Sequence, residues 1–304
     1  MKAISLKAQW KLSHFQTGSC NVHSPEELKD SGIPLLEAAV PGNVELDLWR
    51  AGKIENPYTG SNVLSLRDLE ADEWWYLGQF STPPELEGKQ VELVFGGVDC
   101  LATYWLNGAE LGETSNMFIE HRFDVTRHLR ADAPNELAVR IKSPVVAARN
   151  YQYDPAQCAM SVNWDQLWIR KAPHSYGWDI MPRALSAGIW RSVDLQVHEP
   201  TEWVDIYYYT LSANENSATL GLYYQFRTDK FNLEDFSIRV AGKCQESQFF
   251  YETQILFTTG EISISIPRPD LWWPRGYGDP NLYTVIAELL YKGNVAEFSF
   301  ADRV

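Results

Sequence analysis

Trp178 and Asp179 are adjacent and together supply what a polyhydroxylated ligand requires. The indole offers a flat apolar face for stacking, and the carboxylate accepts hydrogen bonds from hydroxyls. Gly177 precedes them and Pro182 follows, so the pair belongs to a loop within residues 169–193. Loops held at the mouth of a rigid sheet are where binding residues collect. A plainer reading also fits the same letters. Asp179 can be a turn-forming carboxylate bonded to its own backbone or paired with Arg183, and Trp178 a plug over a sheet edge. A second carboxylate group, Asp68, Glu70, Asp72 and Glu73, offers paired acids, but a charge run of this kind reads as a solvated face. Trp190 falls in a strand pattern and reads as core. Trp272 and Trp273, just before Pro274, read as packing residues, and Asn116-Met117-Phe118 as a hydrophobic loop anchor or a border of the same pocket.

Strands must position the pair. Alternation from Gly188 through Val193, Leu195 and Val197 predicts one strand beyond the loop. Before it, strands are predicted over 73–81, 89–95, 120–125 and 135–142. Thr103-Tyr104-Trp105-Leu106 followed by Asn107-Gly108 predicts a hairpin, because a type I′ turn needs positive φ at both central residues. Asn43 is placed to cap a short helix over 44–51 with Leu46, Leu48 and Trp49 inward and Gly52 at its end. Residues 144–170 lose all periodicity and form a polar excursion carrying Tyr151, Tyr153, Trp164 and Trp168. After Pro200 a second series of short strands is predicted, over 203–209, 218–226, 236–240, 254–257, 261–266, 281–291 and 295–300. Strands at that spacing over about 100 residues describe an immunoglobulin-like sandwich. No strand–helix alternation occurs, so no (β/α)₈ barrel is encoded within these residues.

Composition narrows the function classes. The chain has 304 residues, 45% of them hydrophobic and 22% charged, as in an ordinary globular protein. Its formal net charge of −14 opposes nucleic-acid binding, which needs clustered Lys and Arg. The 12 Trp and 15 Tyr favour pleated sheet and supply stacking surfaces. Cys20, Cys100, Cys158 and Cys244 are far apart and read as thiols, two disulfides remaining open. The six His make no close pair, so no metal or cofactor is expected. No apolar run reaches the roughly 18 residues of a membrane span. If Met1 is the native start, a cytoplasmic protein is expected.

Several segments, in order, resemble glycoside hydrolase family 2, its β-mannosidase branch in particular. They are Val40-Pro41-Gly42 with Asp47-Leu48, Asn56-Pro57-Tyr58 with Gly60-Ser61-Asn62, Gly97-Val98-Asp99, Asn107-Gly108, and Asn116-Met117-Phe118 with Phe123-Asp124-Val125-Thr126. Arg170-Lys171-Ala172, Tyr176-Gly177-Trp178-Asp179 with Pro182-Arg183, Gly188-Ile189-Trp190-Arg191, and Leu271-Trp272-Trp273-Pro274 with Gly276-Tyr277-Gly278 complete the set. The resemblance implies an all-β chain: a jelly-roll, galactose-binding-domain-like β-sandwich over 1–199 and an immunoglobulin-like β-sandwich over 200–304.

It also implies a catalytic (β/α)₈ barrel after residue 304, holding the two glutamates of a retaining mechanism. No catalytic residue is then expected here, and the expected partners are that barrel and a β-mannoside or related β-glycoside. Asp179 would bind hydroxyls of the terminal sugar, with Trp178 beside it. The relatives read Trp-Asp-Trp-Gly-Pro where this chain reads Trp178-Asp179-Ile180-Met181-Pro182. The change removes a stacking surface and bears on the choice of sugar, mannoside against galactoside or glucuronide. A free-standing carbohydrate-binding module is the reading from another class.

Overall fold

The computed structural model describes residues 2–86, 89–154, 156, 164–299 and 301–304. The chain divides after Val197 into two compact units. The first contains β1 (Lys2–Ser5), β2 (Gln9–Gln16), β3 (Leu36–Ala38), β4 (Asp72–Phe80), β5 (Gln90–Phe95), β6 (Val98–Asp99), β7 (Leu101–Leu106), β8 (Ala109–Thr114), β9 (His121–Asp124), β10 (Asn135–Lys142), β11 (Gly188–Ile189) and β12 (Val193–His198). A four-stranded sheet, β1-β12-β5-β9, faces a six-stranded one, β3-β2-β4-β10-β7-β8. Leu137, Val139 and Ile141 of β10 alternate into the core between them, against Leu93, Phe95 and Leu195.

The six-stranded sheet is buried on its other face too. There Trp75 and Trp105 stack with ring centroids 5.4 Å apart, beneath Leu28 of α1 (Pro25–Asp30). Sequence reading missed this helix, although Ser24 and Glu27 form a capping box.

The second unit is built of β13 (Thr201–Ala213), β14 (Ser217–Thr228), β15 (Phe236–Cys244), β16 (Ser247–Gln254), β17 (Thr259–Pro267), β18 (Thr284–Tyr291), β19 (Asn294–Phe298) and β20 (Asp302–Arg303). Sheets β13-β14-β17 and β16-β15-β18-β19 enclose Leu222, Phe226, Ile238, Val240, Val285 and Leu289, and β20 pairs with β18. The molecule is all-β, two sandwiches in sequence, as the pattern predicts.

Several local expectations are corrected. The strand foreseen over 254–257 is instead β16, which ends at Gln254. Ile255 is buried there, while Phe257 faces out. The strand expected from Gly188 onward is broken at residues 190–192 into β11 and β12. Trp190 is half-buried and lies along Gly97, where any Cβ would stand 2.8 Å from the indole. Trp272 and Trp273 are 55% and 46% exposed, so they are only partly packed.

In the helix α2 (Val44–Arg50), Asn43 Oδ1 accepts from the Leu46 N–H as a cap. Trp49, expected inward, is 41% exposed, and the buried face instead carries Val44, Glu45, Asp47 and Leu48. Cys20, Cys100 and Cys244 are free thiols, and Cys158 lies outside the described residues. Part of the 144–170 excursion does too. Its described remainder includes α3 (Pro144–Ala148) and stacks Tyr151 on Trp168.

Candidate functional site: an arm on the first sandwich

Residues 171–187 leave the sandwich and return to the same place. At their base β11 pairs with β6, and the Val44 and Gly42 N–H groups donate to Ala187 and Ile189 carbonyls at 3.0 and 2.9 Å. Gly188 has φ of +153° and its backbone passes so close to Gly42 that a Cβ would lie 2.6 Å from the Gly42 carbonyl oxygen. Only glycine fits that approach.

Charged side chains cross-link this base. Lys171 Nζ contacts the Asp99 carboxylate and donates to the Ser186 carbonyl at 2.6 Å. Ser186 Oγ donates to Glu45 at 2.7 Å, and Asp47 accepts from the Ala39 N–H and from Arg50. All three carboxyl groups are held above their ordinary range, because burial penalises the anion. At Asp99 the Lys171 charge opposes that shift, and at Glu45 the Ser186 hydrogen bond does. Burial, with Asp99 adding to it, pushes the Cys100 thiol up to about 12, so it stays protonated and inert.

From this base two limbs rise. Pro173–Tyr176 forms a 3₁₀ turn, and Gly177, at φ +100°, bends the outgoing limb against the returning one. A Cβ at Gly177 would sit 3.4 Å from Arg183 Cβ. The Ala184 N–H donates to the Ser175 carbonyl at 3.0 Å. Higher up, Trp178 and Met181 exchange backbone hydrogen bonds at 2.9 and 3.2 Å, leaving Asp179-Ile180 as a two-residue turn at the tip.

Asp179 is exposed, Trp178 is 64% exposed and Ile180 86%. No hydrogen bond or ion pair to the Asp179 carboxylate occurs among the described residues. Arg183, the suspected partner, is engaged by Glu70 through Nε and a terminal nitrogen at 2.6 and 2.8 Å. The same guanidinium lies 5.4 Å from the centre of the Tyr176 ring and 3.7 Å from Asp165. Trp178, at 64% exposed, keeps most of its indole in solvent.

Two clefts adjoin the arm and share Met181, Pro182, Ala184 and Ser186 in their walls. One of about 480 Å³ is also lined by Asp99, Met117, Ala172 and Trp190, and one of about 430 Å³ by Glu45, Tyr58 and Leu66. Met117 thus borders a cleft, and its sulfur lies 3.0 Å from the Ala172 nitrogen, while Phe118 is 54% exposed.

The acidic run is a further correction. Glu70 binds Arg183, Asp72 lies 2.7 Å from His14 Nδ1, and Glu73 holds Arg140 at 2.6 Å and the Trp75 indole N–H. Of the four, only Asp68 is a fully solvated charge. Of the supporting residues, Glu70 reads in the sequence as part of a solvated face, and Glu45, Asp99 and Lys171 carry no assigned role there. They are dozens of positions apart, so no spacing signal joins them. Among the described residues no group of three or more His, Cys, Asp and Glu could hold a metal ion, and no helix is long and apolar enough to cross a membrane.

Comparison with known proteins agrees with this architecture. Residues 10–191 match the family model "Glycosyl hydrolase 2 galactose-binding domain-like", and 204–299 match "Glycosyl hydrolases family 2". The chain is 33% identical over 260 residues to β-mannosidase B of Aspergillus terreus, covering 83% of this chain and 30% of that protein. It is 34% identical over 259 residues to β-mannosidase B of Thermothelomyces thermophilus, covering 82% and 29%. The crystal structure of β-D-mannosidase from Dictyoglomus thermophilum superposes with a TM-score of 0.77 at 29% identity, over 100% of this chain and 36% of that one. The chain therefore spans about a third of the length of the relatives it matches. With both sandwiches matched in order, the chain belongs to glycoside hydrolase family 2.

Proposed function

We propose that these residues are the N-terminal, non-catalytic portion of a retaining glycoside hydrolase acting on terminal β-D-mannose, and that the arm is its contribution to the substrate pocket. One observation carries the reading. A braced two-limbed arm presents, at its tip, a carboxylate with no partner among the described residues and an indole 64% exposed. A structural turn residue would be bonded to its own loop. Asp179 accepts hydrogen bonds from sugar hydroxyls, and Trp178 gives the ring an apolar wall. The acid/base and nucleophile glutamates belong to a (β/α)₈ barrel of the same polypeptide, so the 304 residues alone hydrolyse nothing.

The test is Asp179→Ala in the full-length enzyme against a panel of aryl β-glycosides. Hydrogen bonds to a charged group contribute about 1.5–3 kcal/mol, so kcat/KM on the mannoside falls about 10- to 100-fold. Unchanged activity, or an equal loss on mannoside, galactoside and glucuronide, removes the specificity role. The 304-residue chain binds a simple mannoside only weakly, since its open clefts bury little of a ligand. Submicromolar binding would favour the other reading, a free-standing carbohydrate-binding module. A reading frame that ends at Val304 would favour it as well.

A further inference from the structure

Among the described residues no side-chain hydrogen bond or ion pair ties Trp178, Asp179 or Ile180 to the sandwich, yet hydroxyl recognition needs Asp179 fixed to within a fraction of an ångström. Something must transmit the rigidity of the sheets to the turn. Three observations converge on Arg183. Its backbone is the surface against which Gly177 bends, so the two limbs touch there, one residue below the Trp178–Met181 hydrogen bonds. Its guanidinium reaches across the outgoing limb to the face of the buried Tyr176 ring. The same guanidinium is gripped in a two-point fork by Glu70, two residues ahead of β4 in the six-stranded sheet. Both charged side chains are about nine-tenths buried.

We infer that Arg183 and Glu70 form a latch that positions Asp179, making Arg183 a positioning residue for substrate binding rather than a ligand of the sugar. This inference rests on the substrate role proposed for the arm. A forked pair suits the task, because two parallel hydrogen bonds fix orientation as well as distance, which a lysine ammonium cannot do.

The decisive variants are Arg183→Lys, which keeps the charge and removes the fork, and Glu70→Gln, which keeps the size and removes the charge. In the 304-residue chain, amide exchange at Trp178 and Met181 accelerates at least tenfold in either variant, while exchange in β10 is unchanged. Unaltered exchange at the tip overturns the latch. In the full-length enzyme, Arg183→Lys lowers kcat/KM through the same parameter, KM or kcat, that Asp179→Ala changes. Added to Asp179→Ala it lowers activity no further, because a misplaced group that is already absent costs nothing. Additive losses would mean general destabilisation and reject the positioning role. Intact activity in Asp179→Ala would instead defeat the substrate role, and the exchange measurement would still decide the latch.

Discussion

The two sandwiches solve the same packing problem with different side chains. Among its described residues, the second unit buries only His198 and Glu202 as ionisable charged-type groups. The rest of its interior is apolar, and its long strands are joined largely by tight turns. The first unit buries Glu45, Asp47, Asp72, Glu73, Asp99, His121 and Lys171. A buried charge is expensive and seldom the cheapest way to hold a loop. What it supplies is a fixed direction. The contrast teaches that the first sandwich fixes the direction of its connections with buried ion pairs, whereas the second is held together mainly by apolar burial.

The largest test of that contrast is Lys171→Met. It leaves Asp99 buried without its cation and Ser186 without its donor, and stability at pH 7 falls by about 3 kcal/mol in urea unfolding of the chain. A paired Lys171→Met, Asp99→Leu change recovers most of the loss, while amide protection along the arm does not return. Full recovery of both would refute the orienting role. Next comes Glu202→Gln, which weakens the hydrogen bonds that Glu202 accepts from Arg227 and the Glu199 N–H. It costs about 2 kcal/mol, read as faster amide exchange confined to residues 198–304. Altered exchange at Trp178 in this variant would contradict the separation of roles.

A smaller effect follows from pH. Glu45 is held above the ordinary 4.5, so the folded state binds its proton more tightly than the unfolded chain does. Stability from this group is complete below pH 4.5 and is lost as pH rises through the folded value. Glu45→Gln keeps an acceptor for Ser186 and removes the charge. The variant is therefore more stable than the parent at pH 8, and the gap closes toward pH 4, as thermal melts at both values will register. The smallest expected effect is at the tip. Asp179→Ala changes stability by less than about 0.5 kcal/mol, because no described residue is bonded to that carboxylate. A larger shift would make Asp179 part of the scaffold.

The sheets were legible because their signals are local. Asn135–Lys142 alternates over its whole length and is a strand with those same ends. Asn107 and Gly108 adopt φ of 54° and 85°, as their residue types demand. Turns without such residues were opaque. β15 and β16 are joined at Gln245-Glu246, where Gln245 has φ of 44°, so the strand after it was misplaced by several residues. The arm was legible as a loop with suitable side chains, but its bracing was not. Glu70 and Arg183 are 113 positions apart, and no pattern in a single sequence distinguishes an acid in an ion pair from one in water. Trp49 was misjudged because hydrophobic periodicity ignores the possibility that a helix turns carboxylates inward.

Ile180 stands 86% exposed at the end of the arm. A side chain this exposed exerts little grip on the fold. Substitution there alters what the tip meets and leaves the sandwich indifferent. Selection for a new ligand and selection for a foldable chain thus act on different letters. For the substrate role proposed above, a directed-evolution library has its natural starting point in Ile180 and Met181.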